Sequence, residues 1–309
     1  MPMKRMPTYP EWSWSQSRHH LFEECKRKYY YHYYASYPGW QAEAPEEAKR
    51  LYRLKQLRTL TLMFGEVIHR LAQMVIWRLR QERVLPTAEE LLHKARTLLN
   101  QAVRESRDKE LWWEVPTKRL MLQELYYGDH LPTGLVEDLK ERLSLCVHHL
   151  LQSRSLREYG EATAAETVEV EQLNKWILEE TKVYVKVDWI YRVGEKWVIV
   201  DWKTGQKEEN HEAQLKWYAL YLHQCYHVPL SQIELRTEYL LTGACERMTA
   251  TEQDVDEALA RMNDSMEAMK TMLSDRERNA ALPEEAFPMT QDERKCQWCN
   301  FQEFCYVRR

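Results

Sequence analysis

The chain has 309 residues, 44% hydrophobic and 30% charged, with only 8 Gly and 11 Pro, which describes a well-packed globular protein and excludes disordered and fibrous classes. No run approaches the roughly 18 apolar residues of a membrane helix, and MPMKRMPTYPEW lacks the apolar stretch of a signal peptide, so a cytoplasmic protein with no membrane partner is expected. A net charge of −4 leaves any polyanion site to local clusters, and seven cysteines in a reducing compartment point to metal ligation or buried thiols rather than disulfides.

Residues 12–40 are dense in bases and aromatics, with Lys26, Arg27 and Lys28 followed by Tyr29, Tyr30, Tyr31, Tyr33, Tyr34 and Tyr37, and read as helical with little amphipathicity. From Pro45 onward, apolar residues at 64, 67, 68, 71, 75 and 79 have the spacing of a buried helix stripe and predict a long helix to about residue 82. Residues 86–159, punctuated by Pro86, Pro116 and Pro132, predict a helical segment. The texture changes at about 166. There ETVEVEQL and KVYVKVDWIYRVGEKWVIVDWKTG alternate with period two and predict strands at 183–192 and 197–203, paired antiparallel through a turn at 193–196. A helix over 210–226, a last strand over 231–240, a helix over 251–277 and a loop through PEEAFPM complete the chain. No internal repeat or low-complexity tract is present.

Four local patterns carry chemistry. Cys296, Cys299 and Cys305 follow Cys-x2-Cys-x5-Cys, a spacing that aims three thiolates at one soft metal or iron–sulfur cluster. A fourth ligand would come from Cys25, Cys146, Cys225, Cys245 or a histidine; zinc and iron–sulfur both accept four cysteines. Asp201 and Lys203 lie two apart on one strand face, with Asp188 on the partner strand. Such a set suits metal-dependent phosphodiester hydrolysis, the carboxylates holding a hard cation and the amine orienting a nucleophile; a solvated face with a salt bridge is the plain alternative. His69 sits one helical turn after Gly65, and Gln214 and Tyr218 share a helix face at i, i+4.

In chain order the patterns join. Ser15, Ser17, Phe22, Cys25 and Tyr29, then Gly65 and His69, Asp188, Asp201-x-Lys203-Thr204-Gly205, Gln214 and Tyr218, and the terminal cysteines together resemble the PD-(D/E)XK nuclease superfamily. More narrowly they look like its RecB-like branch with an iron–sulfur staple, which includes AddB nuclease domains and the stand-alone nucleases of CRISPR adaptation. The resemblance implies that His69, Asp188 and Asp201 bind Mg²⁺ or Mn²⁺, that Lys203 assists the attacking water, and that Gln214 and Tyr218 position DNA or the lysine. It implies that Cys25 joins Cys296, Cys299 and Cys305 in a [4Fe-4S] cluster tying 15–40 to 290–309, leaving Cys146, Cys225 and Cys245 as core thiols. A glutamate upstream of the hairpin often joins such sites, with Glu166, Glu169 and Glu171 as candidates and Glu169 favoured. The chain departs from the family pattern at Val185, Trp189 and Lys26, where Gly, Arg and Pro are usual.

The resulting expectation is one α/β domain over 1–309, a restriction-endonuclease-like core with a central mixed sheet flanked by helices, a helical insertion at about 80–160 and a cluster lobe. Its expected activity is metal-dependent DNA cleavage, as an exonuclease on single-stranded ends in recombination, repair or CRISPR- or phage-related processing. A helicase or a recombination or CRISPR protein is the expected partner, and Arg50, Arg53, Lys55 and Arg58 are expected phosphate contacts. The rival readings are a non-catalytic iron–sulfur module that binds DNA or a helicase, and a zinc-stapled interaction protein.

Overall fold

The alternating run after residue 165 forms the strands it predicts, and they seed a mixed sheet. The computed structural model describes residues 9–208 and 210–306. β1 (Trp14–Ser15) leads into α1 (Gln16–Glu24) and α2 (Lys26–Tyr30), continued by a π-helical turn over Tyr31–Ala35. α3 (Glu46–Leu54) and α4 (Leu60–Glu82) precede α5 (Ala88–Glu105), α6 (Lys109–Glu114), α7 (Gln123–Tyr127), α8 (Thr133–Leu151) and α9 (Arg154–Glu161). Then come β2 (Ala165–Leu178), β3 (Thr181–Val193), β4 (Lys196–Lys203), α10 (Asn210–Tyr226), β5 (Ile233–Tyr239), β6 (Ala244–Thr249) and α11 (Glu252–Lys270). β7 (Leu273–Asp275) and β8 (Ala280–Ala281) form a small hairpin before α12 (Glu293–Gln297) and α13 (Gln302–Tyr306).

β3 is the hub of the sheet. β2 pairs antiparallel along one of its edges, while the other edge takes β1 in parallel near Val183 and β4 antiparallel from Trp189 onward. β5 extends the sheet parallel to β4, and β6 closes it antiparallel to β5. Helices flank both faces. α4, α5, α8 and α9 bury Phe64, Ile68, Leu71 and Leu143 against Trp189, Tyr191, Val200 and Trp202 on one face. On the other, Phe22 and Tyr29 with α10 and α11 cover Val183, Val187, Ile190 and Ile199. A third apolar cluster of Tyr31, Leu51, Leu54, Leu57, Trp112 and Phe301 joins the N-terminal region to α13.

Three expectations need correction. The helix read from Pro45 to residue 82 is broken: Arg58 exchanges backbone hydrogen bonds with Met121 and Gln123, and the Thr59 hydroxyl caps α4 by accepting from the Leu62 N–H at 3.1 Å. The strand after α10 is not the last, because a turn at Thr242 and Gly243, the latter at φ 76°, returns the chain as β6. The helix read over 251–277 stops at Lys270, where the chain enters the β7–β8 hairpin. No helix among the described residues is long and apolar enough to cross a membrane.

Candidate active site

The site arises where the β3–β4 ladder opens. Trp189 pairs with Val200 and Ile190 with Ile199, so the next rung would join Asp188 to Asp201. Instead, the Trp202 N–H donates to Asp188 Oδ2 at 2.7 Å. The alternation along β3 changes phase at the same point: Val183, Val185 and Val187 bury on one face, Trp189 and Tyr191 on the other. On β2, pairing of Val170 with Trp189 and of Gln172 with Val187 places Glu171 opposite Asp188. Glu171 has φ 50°, a left-handed conformation that costs a non-glycine residue about 1–2 kcal/mol and takes its side chain out of the strand's regular alternation.

α4 supplies His69. Its Nδ1 lies 2.7 Å from Glu171 Oε1 and 3.2 Å from Asp188 Oδ1. Ligand atoms of His69, Glu171 and Asp188 all fall within 4.8 Å of one another, and among the described residues they are the one such group of three or more His, Cys, Asp or Glu side chains. Gly65, His69, Glu171, Lys186, Asp188 and Thr204 line an open cleft. A Cβ at Gly65 would meet only the Thr204 hydroxyl, at 3.7 Å, so the glycine leaves this wall bare rather than relieving a clash.

Burial disfavours charge on His69, but Asp188 and Glu171 outweigh it and hold the imidazolium well above the ordinary histidine range. Burial likewise works against ionised Asp188, yet His69 and the Trp202 N–H pull its pKa down. Asp201 is 1% exposed and goes the other way, pushed up by burial and by Asp188 against the opposing pull of Lys203. A proton therefore sits on Nδ1, between two carboxylates, where a cation would compete with it. Two carboxylates and an imidazole suit a hard divalent ion, and the left-handed Glu171 is what brings the second carboxylate beside His69. A cation bound there would have to displace the His69 proton, so its affinity should strengthen as pH rises through neutrality. Calorimetry with Mn²⁺ in buffers of different ionisation enthalpy should show about one proton released per ion, and zero release would remove His69 from the ligand set.

Lys203 ends β4 with its ammonium 2.8 Å from Asp201 Oδ2 and 2.7 Å from Gln214 Oε1. Gln214 Nε2 donates to the Tyr218 hydroxyl at 2.5 Å, and that hydroxyl donates to the Lys186 carbonyl at 3.1 Å. The chain of donors has one direction: since the tyrosine proton goes to a carbonyl, its oxygen accepts from the amide, which turns the Gln214 oxygen toward Lys203. α10 thus orients the lysine through two side chains one turn apart.

The favoured glutamate is not the one at the site. Glu169 is buried and accepts from the Tyr221 hydroxyl at 2.6 Å and from Tyr226, while Glu166 pairs with Arg192. Glu171 touches His69 and, through Oε2, Lys186 Nζ at 2.5 Å. Glu169 and Glu171 are two apart on a strand and would share a face; only the backbone break at Glu171 separates them. Lys186 is absent from the sequence-based candidates, and Glu171 is among them only as a rival to the favoured Glu169, at the end of the V-E-V-E alternation. Glu171→Gln should weaken Mn²⁺ binding by about 10–100-fold, with Glu169→Gln leaving it within a few-fold; calorimetry that ranks the two in reverse would return Glu169 to the site.

Cys25, Cys296, Cys299 and Cys305 line one small cavity between the start of α2 and the α12–α13 region. Cys25 caps α2, accepting weakly from the Lys28 N–H at 3.5 Å, and Cys299 accepts from the Phe301 N–H at 3.4 Å. Burial pushes the Cys299 thiol up to about 12 and raises that of Cys305, so both are protonated unless a metal displaces the proton. Of the remaining cysteines only Cys146 is a core thiol; Cys225 is exposed and Cys245 half-buried. The four cations expected at phosphates are engaged within the protein: Arg50 with Glu303, Arg53 with the Trp113 carbonyl, Lys55 with the His32 carbonyl and Arg58 with Glu66.

A family model described as the PD-(D/E)XK nuclease superfamily matches residues 13–306. Among solved structures, one titled "Crystal structure of SSO0001" is similar at 16% identity and a TM-score of 0.30, over 78% of this chain and 94% of that one. No curated protein matches. The matched range covers most of the chain, and by it this chain belongs to the PD-(D/E)XK nuclease superfamily.

Proposed function

We propose that the protein is a metal-dependent DNA nuclease acting as an exonuclease on single-stranded ends, with His69, Glu171, Asp188 and Asp201 holding Mg²⁺ or Mn²⁺. The observation that carries this reading is the convergence of the His69, Glu171 and Asp188 ligand atoms within 4.8 Å in a cleft that also admits Lys186 and Thr204. A divalent ion there supplies Lewis-acid chemistry, offsetting charge on a phosphate. Lys203, held by Asp201 and Gln214, orients the attacking water and stabilises charge on the reacting phosphate. Asp201 keeps the ammonium in place, and Tyr218 fixes the amide that steers it. A buried carboxylate–lysine pair with a directed hydrogen-bond chain behind it serves positioning better than it serves stability, since burying such a pair is close to energetically neutral.

We assign Cys25, Cys296, Cys299 and Cys305 to a [4Fe-4S] cluster, on the support of four thiols from both chain ends around one cavity. Anaerobic purification should give a brown, oxygen-sensitive protein; a colourless protein bearing zinc favours the zinc-stapled reading instead. The activity is tested by nucleotide release from end-labelled single-stranded and duplex DNA with Mg²⁺ or Mn²⁺. Preferential release from a single-stranded end is expected, and cleavage confined to internal positions of duplex would overturn the exonuclease assignment. Recombination, repair and CRISPR- or phage-related processing are the settings this activity fits, beside a helicase or adaptation partner.

A further inference from the structure

The β2–β3 hairpin carries a second feature that extends outward from the His69–Glu171–Asp188 trio. In its outer half Leu173 pairs with Lys186, Lys175 with Tyr184 and Ile177 with Lys182, and directly opposed residues share a face. The other face buries Val183 and Val185 in the core. The solvent face therefore presents three lysines interleaved with Leu173, Ile177 and Tyr184. Leu173 is 66% and Ile177 60% exposed, the two highest exposures among the large hydrophobic side chains described, and both lie on this one face. Lys182 pairs with Glu11 and Lys186 with Glu171, whereas the Lys175 ammonium has no partner among the described residues.

This face is continuous with the candidate site. Lys186 lines both the cleft over His69 and an adjoining groove that also takes in Leu173, Tyr184, Ser15 and Gln214. From Glu171 to Leu178 the strand runs about 24 Å outward from the trio. We propose that this hairpin face is a track for a single polynucleotide strand, with Lys175 meeting phosphate directly, Lys182 and Lys186 exchanging their Glu11 and Glu171 partners for phosphates, and Tyr184, Leu173 and Ile177 meeting base faces. Alternating cations and apolar surface match a strand whose charge and stacking faces alternate likewise, and a protein partner would have no use for a lysine row leading into a metal cleft. The inference rests on the nuclease reading for its direction, toward the cleft, but the binding surface is separable from the chemistry.

The test uses the full-length holoprotein and the variant Leu173→Ser/Lys175→Glu/Ile177→Ser, whose substitutions are all on the solvent face. Binding of a labelled oligonucleotide long enough to span the hairpin is measured by fluorescence anisotropy without divalent ion, over a salt series, beside cleavage of a dinucleotide with Mn²⁺. The variant should bind the strand about ten-fold or more weakly, with a shallower salt dependence, and cut the dinucleotide at the wild-type rate. Equal strand binding by variant and wild type, or no strand binding by wild type, overturns the track. So does a variant that changes only the sedimentation behaviour, which would make the face a contact between copies of the chain. A wild type that binds the strand but cuts nothing defeats the nuclease reading while leaving the track measurable.

Discussion

Lys203→Ala should lower the single-turnover rate of DNA cleavage by about 10³-fold while leaving Mn²⁺ affinity within a few-fold. Lys203 Nζ contacts Asp201 and Gln214, whereas the tightest ligand group, His69, Glu171 and Asp188, does not include it. On the proposed reading, removing the ammonium takes away a group that would act on water and phosphate and leaves the three ligand side chains in place. The loss should fall on kcat, because an interaction made with the reacting groups is felt in the transition state more than in binding. Gln214→Ala keeps the ammonium but frees it to swing, and should cost about ten-fold by the same assay. If Lys203→Ala cuts within ten-fold of wild type, the lysine is no more than a counter-ion to Asp201.

Cys299→Ser should have the opposite profile. The C-terminal region is held to the N-terminal helices by Phe301 in its apolar cluster, by Asn300 donating to the Leu54 and Leu57 carbonyls at 3.0 and 3.1 Å, and by the Tyr127 hydroxyl donating to the Asn300 carbonyl at 2.6 Å. A cluster on four cysteines would add a covalent bridge between Cys25 and the 296–305 segment, closing a loop of most of the chain. Its loss should bleach the brown protein and lower Tm by about 10 °C, corresponding to several kcal/mol for a domain of this size. Cys146→Ser, in the helical core, should leave the visible spectrum unchanged. An unaltered spectrum and Tm in Cys299→Ser would reduce the four cysteines to ordinary thiols. The two profiles are independent: Lys203→Ala loses rate at constant Tm, Cys299→Ser loses Tm.

Sequence patterns located much of this architecture because the elements that build the site obey local rules. The period-two run around Asp188 and Asp201 forms β3 and β4, and the turn falls at Gly194, whose φ of 62° suits glycine. Same-face spacing put Asp201 beside Lys203 and helical spacing put Gln214 beside Tyr218, while their connection to the lysine was an implication of the family resemblance rather than of position. What escaped depends on distant contacts. The interruption at residues 55–59 exists because Arg58 pairs with Met121 and Gln123 from a segment more than sixty residues away. The choice of Glu171 over Glu169 depends on a left-handed residue opposite the point where β3 changes phase, and nothing in V-E-V-E signals it. β6 is a largely exposed polar edge strand, with too little apolar alternation to stand out. Cys225 and Cys245 show the same limit, since their exposure follows from helix and strand facing rather than from composition.

The most direct test of the central claim is a Mn²⁺ titration of nucleotide release from end-labelled single-stranded DNA, run with anaerobically purified wild type and with Asp188→Asn. Asp188 lies 3.2 Å from His69 and accepts from the Trp202 N–H, so its amide would keep that hydrogen bond and the fold while losing the charge proposed to hold the ion. Saturable, metal-dependent release by wild type, lost by about 10³-fold in Asp188→Asn, is the result predicted. Release by the two proteins at equal rates, or release by wild type that does not depend on the metal, would contradict it.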